Sequence, residues 1–278
     1  MDLTIAHLKS IGTHVAKIFA ITNQKGGVGK TTTSVNLAAS LAATKRKILM
    51  IDLDPQGNAT MGCGVMKNDV EKTVYDLLTK KAQFDEIVVR SEHGNFDVLP
   101  ANSDLVAAEV ELLNEIGREH RLRLGLNEVR ANYDYIIIDC PPSLNMLTVN
   151  ALSASDGVII PMQCEYYALE GLAALMSTIE QIKETINPDL TISGILRTMY
   201  DPRNSLTKDV SEELEEYFGD QVFKVAIPRN VRLAEAPAHG MPALYYDKSS
   251  RGALAHLALA GEIVRRSKKQ SQPELVAV

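Results

Sequence analysis

Short apolar runs recur along this chain, separated by longer segments whose apolar residues fall at helical spacing. Residues 48–51 and 136–138 are apolar throughout, which is typical of strands buried in the centre of a parallel sheet. The pattern predicts strands at residues 17–22, 47–52, 97–100, 135–139, 157–161, 191–196 and 222–227. It predicts helices at residues 31–43, 105–132, 144–154, 169–185, 206–218 and 252–266.

The alternation of strands and helices indicates crossover connections between parallel strands. We therefore expect a single doubly wound α/β domain, with a mainly parallel sheet covered by helices on both faces. Its predicted bounds are residues 17–266. Residues 1–16 form an N-terminal extension, and the polar segment 267–278, which contains a proline, is expected to be disordered.

Composition supports an ordinary globular protein, since 45% of the 278 residues are apolar and 5% are aromatic. No apolar run approaches the roughly 20 residues of a membrane span, and the N-terminus lacks the pattern of a secretory signal. We expect a cytoplasmic protein that does not bind membrane. Cys63, Cys140 and Cys164 are far apart, so neither a disulfide framework nor a zinc site is indicated.

The charge distribution places any contact with a polyanion near the C-terminus. The formal net charge is −6, which argues against coating nucleic acid with the whole surface. From Leu190 onward the chain carries 12 Lys and Arg against 11 Asp and Glu, whereas the preceding part carries 17 against 24. We therefore expect a polyanion to contact the C-terminal third.

Residues 25–32 read Lys-Gly-Gly-Val-Gly-Lys-Thr-Thr, between the first predicted strand and the first predicted helix. This context is that of a phosphate-binding loop, whose glycines let backbone N–H groups point inward toward phosphate oxygens. Lys30 is predicted to reach the outer phosphates and Thr31 to bind magnesium. The predicted nucleotide-binding residues of the loop are Lys25, Gly26, Gly27, Val28, Gly29, Lys30, Thr31 and Thr32.

The loop departs from the usual phosphate-loop pattern at its first two positions. Gln24 stands where the first glycine normally lies, and Lys25 adds a second lysine. Because a lysine there would crowd the phosphates of its own loop, we expect Lys25 to serve a phosphate held by another subunit.

Two acidic sites follow predicted strands, at the edge where open parallel sheets bind ligands. Asp139 ends one strand and can hold a water bound to magnesium. Asp52 and Asp54 close another strand, and side chains two apart on a strand share a face, so both can point toward the phosphate. One of these carboxylates can orient the attacking water.

Four segments form a specific combination. They are the loop at 25–32, Asp-Leu-Asp-Pro-Gln-Gly-Asn at 52–58, Ile-Asp-Cys-Pro-Pro-Ser-Leu at 138–144 and Ile-Pro-Arg-Asn-Val-Arg-Leu-Ala-Glu-Ala-Pro at 227–237. Together they resemble the ParA/Soj family of chromosome and plasmid partitioning ATPases, over nearly the whole chain. The resemblance implies a P-loop ATPase of the deviant Walker A type that uses ATP and Mg²⁺ and forms a dimer with ATP between the subunits.

The resemblance also implies roles for single residues. Lys25 is the signature lysine that reaches across the dimer, and Lys30 and Thr31 have the phosphate and magnesium roles of the loop. Asp54 is the hydrolytic aspartate, and Asp139 is the second magnesium element. Catalysis is thus expected of Lys25, Lys30 and Asp54, and magnesium binding of Thr31, Asp54 and Asp139.

The family binds double-stranded DNA without sequence preference once ATP has formed the dimer, and a ParB-type protein at centromere-like DNA stimulates hydrolysis. The resemblance therefore implies a nucleoid-associated protein whose DNA-binding residues include Arg203 and Arg232. Local charge adds Lys224, Lys248 and Arg251 as weaker candidates. Pro228 and Asn230 are expected near the adenine.

Three other classes of protein share the phosphate loop. A MinD-like cell-division ATPase would attach to membrane through an amphipathic C-terminal helix, but the segment 267–278 has no sustained apolar face. An iron–sulfur ATP-dependent reductase would need paired cysteines, which the chain does not offer. An ATP-dependent amidoligase or synthetase would need a substrate pocket and an extra domain. The MinD-like function is kept as the alternative.

Overall fold

The computed structural model describes residues 15–271, and the side chains of residues 15–268. Its strands are β1 Lys17–Ile21, β2 Ile48–Asp52, β3 Val89–Arg90, β4 Asp97–Leu99, β5 Tyr135–Asp139, β6 Gly157–Gln163 and β7 Thr191–Thr198. They form one sheet in the order β3-β4-β2-β5-β1-β6-β7. All neighbours are parallel except β3 and β4. The predicted mainly parallel sheet is confirmed.

The α-helices of this part of the chain cover both faces of the sheet. They are α1 Lys30–Ala43, α2 Asn58–Gly62, α3 Val74–Leu78, α4 Leu105–Leu112, α5 Arg121–Leu126, α6 Met146–Ala154, α7 Ala168–Thr185, α8 Ser205–Phe218, α9 Val231–Glu235, α10 Ala243–Tyr246 and α11 Arg251–Ser271.

Alternate residues of the central strands enter two separate apolar cores. On β5, Ile136 and Ile138 pack in one core with residues of α4 to α7, whereas Ile137 packs in the other with residues of α1 and α11. All three are completely buried. This double burial explains why the strand is apolar at every position, and it confirms the doubly wound fold.

The predicted strand at 222–227 is wrong. Phe223 and Ile227 donate backbone hydrogen bonds to β7, and Val222 forms only an isolated bridge there. Between these contacts the N–H groups of Lys224 and Val225 bond instead to the carboxylate of Glu262 on α11, at 3.0 and 3.1 Å. The carboxylate of Glu262 therefore takes the backbone N–H groups that a strand would bond to β7.

The predicted helix at 105–132 is also wrong, because it is broken into α4, α5 and short 3₁₀ turns at Arg118–His120 and Arg130–Asn132. Gly117 lies in the break with φ of 66°, a conformation that does not continue a helix. The short elements β3, α2, α3, α9 and α10 were not predicted.

The C-terminal helix runs farther than predicted, because α11 extends to Ser271 rather than ending at 266. The predicted disordered tail therefore starts inside a helix. The rest of that tail, and residues 1–14 of the predicted N-terminal extension, lie outside the described residues. No helix within residues 15–271 is long and apolar enough to cross a membrane.

Candidate active site

The loop between β1 and α1 has the backbone shape that phosphate binding requires. Gly27 and Gly29 have φ of 74° and 88°, in the left-handed region that favours glycine. A Cβ atom on Gly27 would meet no heavy atom within 4 Å, so the space beside the loop is open. Since α1 begins at Lys30, the first N–H groups of this helix add to those of the loop. The loop is therefore suited to hold several phosphate oxygens.

Side chains from β6 and β7 fix this loop in place. Thr198 Oγ1, at the end of β7, donates a hydrogen bond of 2.8 Å to the carbonyl of Val28. Gln163 Nε2, at the end of β6, donates one of 3.3 Å to the carbonyl of Gly27. The sequence pattern indicated neither residue, because both predicted strands ended two residues too early.

The two lysines of the loop have different surroundings. Lys30 is buried within the loop, and its Nζ donates a 3.1 Å hydrogen bond to the carbonyl of Lys25. Burial lowers the pKa of Lys30, and the charge of Asp139 partly offsets this. The side chain of Lys25 is 48% exposed, and its Nζ lies 2.6 Å from a carboxylate oxygen of Glu165. Lys30 is thus directed into the loop and Lys25 away from it.

Asp139, at the end of β5, is completely buried and brings two hydroxyl groups together. Thr31 Oγ1 donates to Oδ2 at 2.8 Å, and Ser34 Oγ donates to Oδ1 at 2.7 Å. The predicted pair of Thr31 and Asp139 is therefore in contact. Ser34 was not predicted, although its position one turn after Thr31 on α1 was the available signal.

Asp52 and Asp54 do not share a strand face, so that expectation is wrong. The strand β2 ends at Asp52, whose buried carboxylate accepts hydrogen bonds from the N–H and hydroxyl of Thr60 at 2.7 and 2.8 Å. It also accepts the N–H of Asp54 at 3.1 Å. Asp54 is only partly buried, and one of its oxygens accepts the N–H of Gln56. Asp52 therefore fixes the turn, and Asp54 presents the accessible carboxylate.

The oxygen groups around Asp139 suit Mg²⁺, which takes oxygen ligands and usually keeps several waters beside one or two protein groups and substrate phosphates. No cluster of three or more His, Cys, Asp or Glu side chains in residues 15–271 forms a metal cage by itself. That is compatible with Mg²⁺, since a nucleotide would supply the remaining oxygens. The hydroxyl of Thr31 and the carboxylate of Asp139 would hold the ion, with Asp54 on the neighbouring turn.

Negative charge is unfavourable in this site, because its carboxyl groups are buried close together. Asp52 and Asp139 are register partners on adjacent strands. Burial raises the pKa of both carboxyl groups, and the charge of Asp52 raises that of Asp139 further. A bound Mg²⁺ would offset the same repulsion.

We predict that Asp139→Asn stabilises the metal-free chain, and that the gain grows with pH. A carboxyl group whose pKa is raised by folding binds more protons in the folded than in the unfolded state, so stability falls as pH rises above the unfolded pKa. In EDTA, the melting temperature of the variant should therefore exceed that of the parent, by a difference that increases from pH 5 to pH 8. An unchanged difference across that range would contradict this account of the site.

A cavity of about 340 Å³ lies next to the phosphate loop. It is mostly apolar and suits a flat base, and Asn230 Oδ1 is buried there without a hydrogen-bond partner in the described structure. The predicted adenine residues Pro228 and Asn230 both line it. Its other lining residues include Gly29, Thr32, Thr198, Met199, Ile227, Val231 and Leu233.

The predicted DNA-binding arginines are exposed but paired within the chain. Arg203 follows β7 and makes a two-pronged contact with Asp201, at 2.9 and 2.7 Å. Arg232, on α9, lies 2.7 Å from Glu235 and 3.4 Å from Asp247. Arg203 follows the end of β7 that bonds the phosphate loop, and Val231, next to Arg232, lines the cavity beside that loop, so both arginines lie on the loop's side of the sheet. The weaker candidates Lys224, Lys248 and Arg251 are exposed as well.

The chain matches the family model described as AAA domain over residues 16–192. It is 56% identical to the sporulation initiation inhibitor protein Soj of Bacillus subtilis, over 90% of this chain and 98% of Soj. It is 51% identical to the chromosome partitioning protein ParA of Myxococcus xanthus, over 95% of this chain and 93% of that protein. This chain belongs to the ParA/Soj family. The predicted family and the ATPase class are confirmed, and ATP with Mg²⁺ is the ligand pair that its phosphate loop suits.

Solved structures agree on the fold but carry different names. A cobyrinic acid a,c-diamide synthase of Mycobacterium smegmatis, with bound ATP analogue and magnesium, is 36% identical with a TM-score of 0.81, over 92% of this chain and 97% of that one. The cell division ATPase MinD of Pyrococcus furiosus is 25% identical with a TM-score of 0.74, over 90% of this chain and 99% of that one. The ParA/Soj relatives are more similar in sequence than either.

Proposed function

We propose that this ParA/Soj-family ATPase is a DNA-partitioning switch. ATP joins two chains into a sandwich dimer, the dimer binds DNA without sequence preference, and hydrolysis stimulated by a ParB-type partner releases it. Repeated binding and release would place the protein on the nucleoid and drive the segregation of a chromosome or plasmid. The observation that carries this proposal is the outward direction of Lys25.

Lys25 is poorly placed to bind the phosphates of its own loop. Its Nζ is engaged by Glu165 at the surface, while Lys30 already fills the inner lysine position. An exposed amine beside the phosphate site is well placed to serve a nucleotide presented by a second chain. There it would act as an arginine finger does, by placing positive charge where phosphoryl oxygens gain negative charge.

The surface around the loop supports such a dimer. Apolar side chains are exposed just after the carboxyl ends of β5 and β6, namely Leu144, Tyr166 and Tyr167, at 47, 73 and 73% exposure. Val231, which lines the cavity beside the loop, is 63% exposed. Large exposed aromatic residues are enriched at protein interfaces. A second chain facing this edge would bury them together with the nucleotide.

The residues divide the chemistry among them. The loop amides and Lys30 would hold the β- and γ-phosphates, and Asp54, kept in place by Asp52, would orient the attacking water. Thr31 and Asp139 would hold Mg²⁺, which when bound neutralises charge on the phosphate oxygens. Lys25 from the second chain would add a further positive charge at the phosphoryl oxygens, so ATP turnover would depend on the dimer.

DNA binding would use the paired arginines. Exposed ion pairs contribute little stability, so a phosphate can replace Glu235 or Asp247 beside Arg232 at small cost. Each phosphate contact also releases condensed counterions, which lets an acidic chain bind DNA in a salt-dependent way. A dimer would carry the DNA-contacting arginines of both chains, which doubles the number of positive charges that a single chain offers to DNA.

We predict that Arg232→Ala leaves ATP-dependent dimerisation intact and weakens DNA binding equally for all sequences. One lost phosphate contact per chain should make the slope of log K against log salt less negative by about 2 for the dimer. Titration of labelled duplex DNA at several salt concentrations measures this slope. Arg46→Ala is the matched control, because it removes an arginine at the opposite edge of the sheet. An Arg232 variant that binds DNA like the parent would refute the assignment.

Two other functions have defined tests. MinD-like membrane attachment predicts that the chain sediments with anionic liposomes in the presence of ATP, which the DNA-partitioning proposal does not. The synthase function is raised by the Mycobacterium smegmatis structure, since 97% of that chain is covered and no extra domain separates the two. It predicts ATP consumption that depends on a carboxylic acid substrate and an amide donor, and not on DNA or a ParB-type protein.

A further inference from the structure

Glu165 holds the side chain of Lys25 in the single chain. Its carboxylate oxygen Oε2 lies 2.6 Å from Lys25 Nζ, and both side chains are about half exposed, at 52 and 48%. The two residues are 140 positions apart, so the contact depends on the fold and not on local sequence. Neither residue makes another side-chain ion pair in the described part of the chain.

The backbone places Glu165 firmly beside the loop. Its N–H bonds to the carbonyl of Gln163 at 3.0 Å, and its own carbonyl accepts the N–H of Ala168 at the start of α7. Gln163 also holds the loop through Gly27. The preceding residue Cys164 is buried, which anchors the turn. The fold therefore holds the backbone of Glu165 beside the loop, within reach of Lys25.

We infer that Glu165 is a positioning residue that retains Lys25 in the single chain and must release it when a dimer forms. This inference rests on the proposed function, because it requires Lys25 to act on a nucleotide of the second chain. The carboxylate of Glu165 already balances the charge of the Lys25 ammonium group, so a phosphate held by the second chain must compete with it. The ion pair therefore competes with dimer formation, and it keeps the unpartnered chain from offering its amine.

The size of the effect follows from the exposure of the pair. Exposed ion pairs are weak, so each pair should disfavour the released lysine by only about 2- to 5-fold. A symmetric dimer must break one pair in each chain, so the factor enters the dimer dissociation constant twice. The combined effect on that constant is expected to be about 4- to 25-fold.

The test compares Glu165→Gln with Glu170→Gln in a chain that also carries Asp54→Ala, which is expected to slow hydrolysis. Glu170 lies in the first turn of α7, is exposed and has no ion-pair partner in the described structure, so the control removes the same charge nearby. Sedimentation velocity over a range of protein concentrations with saturating ATP gives the dimer dissociation constant of each variant, at low and at high KCl concentration. A melting curve for each variant checks folding.

At low salt we expect Glu165→Gln to lower the dimer dissociation constant by about 4- to 25-fold relative to the Glu170→Gln control. At high salt the two constants should approach each other, because an exposed ion pair is screened. A merely structural role would not produce that convergence. A weaker dimer would overturn the inference, because it would make Glu165 a contact to the second chain, and so would equality with Glu170→Gln at both salt concentrations. If the chain with Asp54→Ala alone stays monomeric with ATP, the proposed function itself fails, which is a different result.

Discussion

Lys30→Ala should lower ATP turnover by about 10³-fold and also weaken ATP binding. The ammonium group of Lys30 is buried inside the loop, where charge interactions are stronger than in water. In the single chain it bonds to the carbonyl of Lys25, and phosphate oxygens would replace that neutral acceptor with charged ones. Removal of one such group from a preorganised site typically costs roughly two to three orders of magnitude in rate. Phosphate release and nucleotide titration measure the two effects.

A matched control separates this role from a general effect of charge. Lys45 is exposed in the turn after α1 and has no ion-pair partner within residues 15–271, so Lys45→Ala should turn over ATP like the parent. The Lys30 variant should also melt near the parent temperature. Parent-like turnover by Lys30→Ala would mean that the loop does not hold the reacting phosphates as we describe.

Asp54→Ala should lower the hydrolysis rate by about 10²- to 10⁴-fold while ATP remains bound, which is the range expected for a group that orients or deprotonates the attacking water. Asp54 does not help to shape the phosphate loop, so binding should survive its removal. Its carboxylate is partly exposed, and the buried Asp52 fixes the turn that carries it. Single-turnover phosphate release, with the bound nucleotide identified after quenching, measures rate and occupancy together.

Asp69→Ala is the control for this prediction. Asp69 is exposed in the turn that follows α2 and its side chain has no partner in the described structure, so its loss should change neither rate nor binding. If Asp54→Ala hydrolyses ATP at the parent rate, the water-orienting role belongs to another group. If instead ATP no longer binds, Asp54 is needed for the nucleotide site itself.

Local apolar patterns were sufficient for most of the fold. The central strands β2 and β5 are buried on both faces, and their continuous apolar runs predict that directly. The error at 222–227 arose because that segment has the apolar content of a strand, while the group that interrupts its ladder, Glu262, lies about forty residues away on another helix. Tertiary contacts of this kind leave no mark in the local pattern.

The site was predicted to a similar extent and for the same reason. Thr31, Lys30 and Asp139 belong to contiguous motifs and meet in the structure. Thr198 and Gln163, which hold the loop through hydrogen bonds, belong to no motif. They reach the loop only because β6 lies beside β1 and β7 lies beside β6. Asp52 was expected to point toward the phosphate with Asp54, but its carboxylate bonds to Thr60. The strand β2 ends at Asp52, so the two side chains do not share a strand face.

The sandwich dimer is tested most directly by the mass of the particle that the Asp54→Ala variant forms with ATP, since this variant is expected to slow hydrolysis. Sedimentation velocity should give two chains with ATP in a one-to-one ratio to each chain, and a single chain with ADP or without nucleotide. Only the ATP-bound form should then carry labelled duplex DNA with it at moderate salt. A single chain that holds intact ATP, or a dimer that forms equally well without nucleotide, would contradict the proposed switch.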